Sequence, residues 1–100
     1  MLVDQVSALI TPELIDEHRR NPIGAHSSEL ERVLRHLRRQ PTAGKYVLVC
    51  TRRDAEWAIG RLSGVRGIGP ELAGEERFGS LAAAEHAVFL ERLAALGLAP

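Results

Sequence analysis

Four histidines and one cysteine are the side chains whose types could support metal binding or nucleophilic catalysis. The histidines are His18, His26, His36 and His86, and they lie 8, 10 and 50 residues apart. Helical zinc sites pair two histidines four residues apart, or combine histidines with closely spaced cysteines and carboxylates. Since the sequence has neither arrangement, we expect surface or capping histidines and no metal or catalytic site in this chain.

Cys50 lies within an apolar segment, where a thiol usually behaves as a small unreactive hydrophobe. A single cysteine cannot form an internal disulfide, which favours a reducing compartment. The glycine-rich residues 64–69 match neither the dinucleotide fingerprint nor the phosphate loop, so we interpret them as a flexible bend. Without a nucleophile–base pair, a ligand set or a phosphate loop, the chain is predicted not to catalyse a reaction alone.

Length and composition place these residues in one small domain. The 100 residues are 45% hydrophobic and carry 13 basic and 13 acidic side chains, which is typical of a globular protein. No apolar run approaches the ~20 residues that span a bilayer, and the N-terminus lacks the features of a secretory signal. We therefore expect a single domain over residues 1–100 that is cytoplasmic and does not contact a membrane.

Helical patterns occupy the first 40 residues. Apolar residues over 2–10 follow a helical spacing, and we consider residues 1–11 a candidate docking helix. Thr11 and Pro12 are typical of a helix start. Ser28 is predicted to begin a helix over 28–40, with an apolar stripe on one side and mainly arginines on the other.

The second half predicts a β-hairpin followed by a helix. β-branched residues over 45–51 indicate a strand, and residues 56–63 could return as its antiparallel partner. Residues 64–79 are predicted as a loop with a short extended piece at 76–78. Ser80 caps a helix over 81–96 that Gly97 ends. The predicted fold class is α+β: N-terminal helices, a small antiparallel β element, and a C-terminal helix packed on it.

Basic residues are concentrated between residues 18 and 53, a segment that contains nine lysines and arginines but only two acidic residues. Such a segment could bind phosphates, which makes a nucleic-acid-binding module one hypothesis. The neutral net charge of the chain argues against nucleic acid. Two further interpretations are a solvated helix face paired with acids of the same fold, and a surface that docks on an acidic partner.

Several short segments, in this order and spacing, resemble a known family. They are Asn21-Pro22-Ile23-Gly24, residues 40–46 (Gln-Pro-Thr-Ala-Gly-Lys-Tyr), Glu56-Trp57, residues 75–78 (Glu-Glu-Arg-Phe) and residues 86–90 (His-Ala-Val-Phe-Leu). Over about residues 12–96 the chain resembles the small (alpha) subunit of N,N-dimethylformamidase. It starts close to the first of these motifs, and we expect it to lack the longer N-terminal extension of that subunit.

The resemblance implies a bacterial two-subunit amidohydrolase that cleaves N,N-dimethylformamide to dimethylamine and formate. It further implies an iron ion held by the large subunit, with no metal ligand in the small one. We therefore expect a non-catalytic accessory subunit that joins a large hydrolase subunit in a hetero-oligomer. A small basic-faced module that binds nucleic acid or protein is the alternative.

Interface residues are predicted from the N-terminal apolar stripe, which a small domain could leave uncovered, and from arginine and tryptophan, which are over-represented among residues that dominate binding energy. The candidates are Leu2, Val6, Arg35, Arg38, Arg39 and Trp57.

Overall fold

Three helices precede a three-stranded antiparallel sheet and a fourth helix follows it in the computed structural model, which describes residues 2–98 and side chains from residue 5 onward. The elements are α1 Leu2–Ser7, α2 Pro12–Arg20, α3 Ser28–Arg38, β1 Tyr46–Arg52, β2 Glu56–Arg61, β3 Glu71–Leu72 and α4 Leu81–Ala95. Helix α4 packs against β1 and β2. The predicted α+β class, with the last helix on the sheet, is confirmed. No helix in residues 2–98 is both long and apolar enough to cross a bilayer.

Helix α3 begins at Ser28, as predicted, and the residue before it is the cap. Ser27, not Ser28, is the N-cap, and its hydroxyl accepts a hydrogen bond of 3.2 Å from the backbone of Leu30. The same serine donates from its backbone and from its hydroxyl to the carboxylate of Glu17, both at 2.7 Å. These bonds to α2 hold Ser27 in the capping position. Because Glu17 lies ten residues earlier in the chain, the residues next to Ser27 did not predict this contact. Thr11 caps α2 as predicted.

Two helices end earlier than predicted. Helix α3 ends at Arg38 rather than at residue 40, because Arg39 turns its backbone N–H to the carbonyls of His36 and Leu37. Helix α4 ends at Ala95, and Gly97 takes the left-handed conformation with φ of 70°. Glycine adopts that conformation without strain, so its predicted role as the terminator is confirmed.

The hydrophobic core lies among the helices. Its buried members are Leu14, Leu30, Val33, Leu37, Phe89, Leu93 and Leu98. Val6, Leu9 and Ile10 pack against this cluster and are half-buried, so the prediction that the N-terminal stripe stays uncovered is wrong for these three residues. The side chain of Leu2 lies outside the described residues.

Strands β1 and β2 form the predicted antiparallel hairpin. A third strand is present, but not at the extended piece predicted for residues 76–78. Strand β3 spans Glu71–Leu72, whereas in the predicted piece at 76–78 only Phe78 pairs, through two backbone hydrogen bonds with Trp57 of 2.9 and 2.8 Å. Cys50, opposite Trp57 and next to a bulge, is exposed. The prediction that Cys50 behaves as a hydrophobe within an apolar strand is therefore wrong, since its side chain faces solvent while its neighbours Val49 and Thr51 are half-buried.

The loop after β2 is fixed at its beginning. Gly64 has φ of +80°, and a Cβ there would come within 2.6 Å of the Cβ of Ala43. Backbone bonds between Gly44 and Leu62 (2.7 Å) and between Leu62 and Lys45 (3.0 Å) tie the two segments together. The flexible bend predicted for 64–69 therefore begins at a tight contact that positions Lys45.

Candidate partner interface and histidine cluster

A groove of about 150 Å³ lies between α1 and α3, and we call it the arginine groove. Its lining residues are Gln5, Val6, Arg32, Arg35, His36 and Arg39. The four from α3 and its C-cap follow the spacing i, i+3, i+4, i+7, which puts them on one side of a helix. Because Leu30, Val33 and Leu37 bury the opposite side, the α3 sequence itself turns these cations outward.

Among side chains from residue 5 onward, none that lines the arginine groove is acidic. Among the described residues, ion pairs within 4.0 Å join Asp16 to Arg19 and Arg20, and Glu56 to Arg77, and none involves an arginine of the groove. Hydrogen bonds from Arg19 and then Arg20 lower the pKa of Asp16. The interpretation of a basic face paired with internal acids thus holds for α2 but not for α3.

Three of the six predicted interface residues meet at one surface. Val6, Arg35 and Arg39 all line the arginine groove. Arg38 lies toward β1, since its carbonyl accepts a hydrogen bond of 3.1 Å from Lys45. Trp57 is half-buried in β2, the middle strand of the sheet, and does not line the groove. With Leu2 outside the described side chains, the groove remains the strongest candidate interface.

Three of the histidines form a cluster that the sequence did not predict. His18 on α2 is only 3% exposed, and its Nδ1 lies 2.9 Å from Nδ1 of His86 on α4. The His18 ring stacks on the Phe89 ring with centroids 3.9 Å apart. It also stacks on the His26 ring, with centroids 6.0 Å apart. We call His18, His26 and His86 the histidine cluster. The expectation of a surface or capping role is wrong for His18.

The short Nδ1–Nδ1 contact requires unlike tautomers. One ring donates its Nδ1–H and the other accepts, so the accepting ring is a neutral imidazole. Burial, and secondarily the charges of His86 and His26, lower the pKa of His18 to about 4. Burial and the charge of Arg19 also lower the pKa of His86. At neutral pH the pair is a packed, uncharged contact between α2 and α4.

The described residues do not fit a metal centre. No group of three or more histidine, cysteine, aspartate or glutamate side chains within residues 5–98 could hold a metal ion. In the histidine cluster, the Nδ1 atoms of His18 and His86 bind each other, and Nε2 of His26 lies 2.8 Å from the carbonyl of Asn21. These nitrogens stabilise the fold and do not converge on a vacant position.

Cys50 has no base beside it in the described structure. Its thiol contacts the carbonyl of Arg52 at 3.4 Å, and no hydrogen bond joins it to a histidine there. Nucleophilic catalysis by a thiol requires such a base or another group that favours the thiolate.

The sequence matches the family described as N,N-dimethylformamidase alpha subunit over residues 1–99. It is 44% identical over 87 residues to the N,N-dimethylformamidase alpha subunit of Alcaligenes sp., covering 82% of this chain and 63% of the relative. The subunit of the same description from Paracoccus aminophilus is 42% identical over 87 residues, covering 82% of this chain and 59% of that relative. The chain thus spans about three-fifths of the length of these curated relatives.

The family match over residues 1–99 includes every helix and strand described above, together with the short segments on which the resemblance was based. The resemblance is confirmed, and the arginine groove and the histidine cluster both lie within the matched residues. This chain therefore belongs to the N,N-dimethylformamidase alpha subunit family.

Proposed function

We infer that this chain is the non-catalytic small subunit of an amide hydrolase and that it docks on a large subunit through the arginine groove. The observation that carries this proposal is a solvent-facing groove of three arginines and a histidine, with no acid among the described side chains that line it. Family membership supports a subunit role, since both relatives are themselves described as alpha subunits.

The reaction and its metal belong to the same proposal. Hydrolysis of N,N-dimethylformamide adds one water across the amide C–N bond and yields formate and dimethylamine. The described residues of this chain offer no fitting metal site and no paired nucleophile and base. We therefore place the iron and the chemistry in the large partner, in a cytoplasmic hetero-oligomer.

Electrostatic complementarity explains why the groove suits an acidic partner surface. Arginine presents its donors in a planar fork that pairs with both oxygens of a carboxylate. Placing like charges opposite each other at an interface costs several kcal/mol, so reversing two of these arginines is a strong perturbation. Val6, half-buried at the wall of the groove, adds apolar contact beside the charges.

The test is co-purification of this chain with its large subunit after the double substitution Arg35→Glu and Arg39→Glu. A matched control is Arg52→Glu with Arg53→Glu, which makes the same charge change at exposed residues of the hairpin. We expect the groove variant to raise the Kd for the large subunit at least about tenfold, a loss of roughly 1.4 kcal/mol. The hairpin variant should bind nearly as the unchanged chain does.

Equal retention of both variants on the large subunit would refute docking through the groove. Nucleic-acid binding is the competing outcome, because phosphates also pair with arginine. It would appear as an affinity for DNA or RNA that falls with salt, with a log–log slope of about −0.9 per neutralised phosphate. We expect no binding to either at ~50 mM salt, where such contacts are strong.

A further inference from the structure

A second pocket, also of about 150 Å³, lies where the end of α3, the start of β1 and the end of α4 meet. We call it the junction pocket. Leu37, Tyr46 and Leu96 contribute apolar wall, and two cations, Lys45 and Arg92, line the same space. The described lining of the pocket is thus mainly apolar, and its charged side chains are both positive.

Hydrogen bonds fix both cations in place. Nε of Arg92 donates to the carbonyl of Tyr46 at 2.8 Å, and Nζ of Lys45 donates to the carbonyl of Arg38 at 3.1 Å. In the described structure these bonds leave the two terminal nitrogens of Arg92 and two hydrogens of the Lys45 ammonium without a hydrogen-bond acceptor. The pocket thus holds oriented donors.

The cations around the junction pocket form no ion pair with a described carboxylate. Burial, then the charge of Arg92, lowers the pKa of Lys45. Burial lowers the pKa of Arg92, Arg38 adds to this, and Glu85 on α4 opposes it. Yet neither Glu85 nor any other described carboxylate lies within 4.0 Å of Arg38, Lys45 or Arg92. A carboxylate from outside would relieve this mutual repulsion.

The volume of the pocket limits what it can hold. A cavity of about 150 Å³ lined by apolar side chains accepts a molecule of the size of benzene. One leucine or phenylalanine side chain is of that size. Large apolar or aromatic anchors that fill such pockets dominate the binding energy of many interfaces.

The junction pocket and the arginine groove adjoin each other on α3. Gln40 lines the junction pocket, and its amide nitrogen donates to the carbonyl of His36 at 3.1 Å. His36 in turn lines the arginine groove. A partner that covers the groove therefore extends readily to the pocket.

We propose that the junction pocket receives one leucine- or phenylalanine-sized side chain of the large subunit, together with an adjacent aspartate or glutamate whose carboxylate pairs with Lys45 and Arg92. This inference rests on the proposed subunit function, because its occupant is part of the large subunit. It adds a specific anchor to a surface that otherwise binds mainly by charge.

A tryptophan placed in the pocket tests the apolar half of the proposal. Ala95 and Ala94 are neighbouring exposed residues of α4, but only Ala95 lines the pocket. We expect Ala95→Trp to raise the Kd for the large subunit at least about tenfold and Ala94→Trp to change it less than about twofold. Thermal unfolding of each variant, followed by circular dichroism, should show that both are folded.

Removal of one charge tests the polar half and remains decisive if Ala95→Trp fails to fold. Lys45→Gln should raise the Kd several-fold and make it less sensitive to salt, because one charged contact is lost. Arg66→Gln, an equal charge change in the exposed loop, should alter neither quantity.

The outcomes separate this inference from the proposed function. If the unchanged chain does not bind the large subunit, both fail. If it binds, and Ala95→Trp behaves as Ala94→Trp while Lys45→Gln behaves as Arg66→Gln, only the pocket assignment is overturned.

Discussion

The histidine cluster and the arginine groove are both built from basic residues, yet they lie in opposite environments. His18 is 3% exposed, stacked on Phe89 and hydrogen-bonded to His86. Arg35 and Arg39 are exposed, and no described acid pairs with them. Burial makes the histidines neutral parts of the fold, whereas exposure leaves the arginines charged and available.

The difference teaches that the density of basic residues in a sequence does not indicate their role. Titratable groups that are buried and satisfied within the chain contribute stability, and exposed charges contribute little to it. We therefore expect changes in the histidine cluster and its packing to alter stability but not recognition. Changes in the groove should do the reverse.

The largest effect is expected at the aromatic ring beneath the cluster. Phe89→Ala should lower the free energy of unfolding by about 3 to 5 kcal/mol, because it removes a buried ring and leaves a cavity. The neighbouring Leu90 is 39% exposed, so Leu90→Ala should cost much less. Urea unfolding of both variants measures this. Equal losses would contradict the placement of Phe89 in the core.

The next effect is a loss of stability on mild acidification. The unfolded state takes up a proton on His18 near its ordinary pKa of 6.5, whereas the folded state does so near 4. Between these values the unfolded state binds more protons, so stability falls as the pH falls, by up to about 3 kcal/mol. The lowered pKa of His86 adds to this loss, Glu17, whose pKa is lowered from 4.5, contributes at the acid end of the window, and Asp16, lowered from 3.8, contributes mainly below it.

Urea unfolding at pH 7 and at pH 4.5 measures this dependence. His18→Leu should remove most of the loss, and His36→Asn, a histidine of the groove, should retain it. Unchanged stability of the wild-type chain across this range would show that His18 is not held neutral by its surroundings.

A smaller effect distinguishes the two serines at the start of α3. Ser27→Ala removes the N-cap and the bond to Glu17, and should cost about 1 kcal/mol or somewhat more. Ser28→Ala changes an exposed side chain in the first turn and should be nearly neutral. The difference in urea midpoint between the two variants measures the cap. A larger loss from Ser28→Ala would contradict its placement inside the helix.

The smallest effect on stability is expected in the groove itself. Arg35→Gln with Arg39→Gln should change the free energy of unfolding by less than about 0.5 kcal/mol per residue, as is usual for surface substitutions. The same variant should weaken binding to the large subunit. A substantial loss of stability would mean that these arginines support the fold and would remove the contrast with the histidines.

Local patterns predicted most of the fold. Periodicity predicted the α3 helix, whose stripe of Leu30, Val33 and Leu37 is buried as expected. The β propensity of the residues around Val47 predicted strand β1. The position of β3 was missed, since a two-residue strand is set by its pairing with Gly60 and Arg61 and not by its own residues. Helix ends shifted where backbone capping, rather than side-chain type, decided them.

The candidate sites show the same limit. The outward arginines of α3 follow from helical spacing, so Arg35 and Arg39 could be predicted. The contact of His18 with His86 joins residues 68 positions apart on two helices, and spacing along the chain carries no signal for it. The position of His86 one turn before Phe89, on a helix with an apolar side, was the only available indication.

Release of dimethylamine from N,N-dimethylformamide tests the central claim most directly. It should be measured for this chain alone, for the large subunit alone, and for the large subunit titrated with this chain. We predict no release by this chain at any concentration, and activity that rises and saturates as it is added to the large subunit. Turnover by this chain alone would contradict the assignment of the chemistry to its partner.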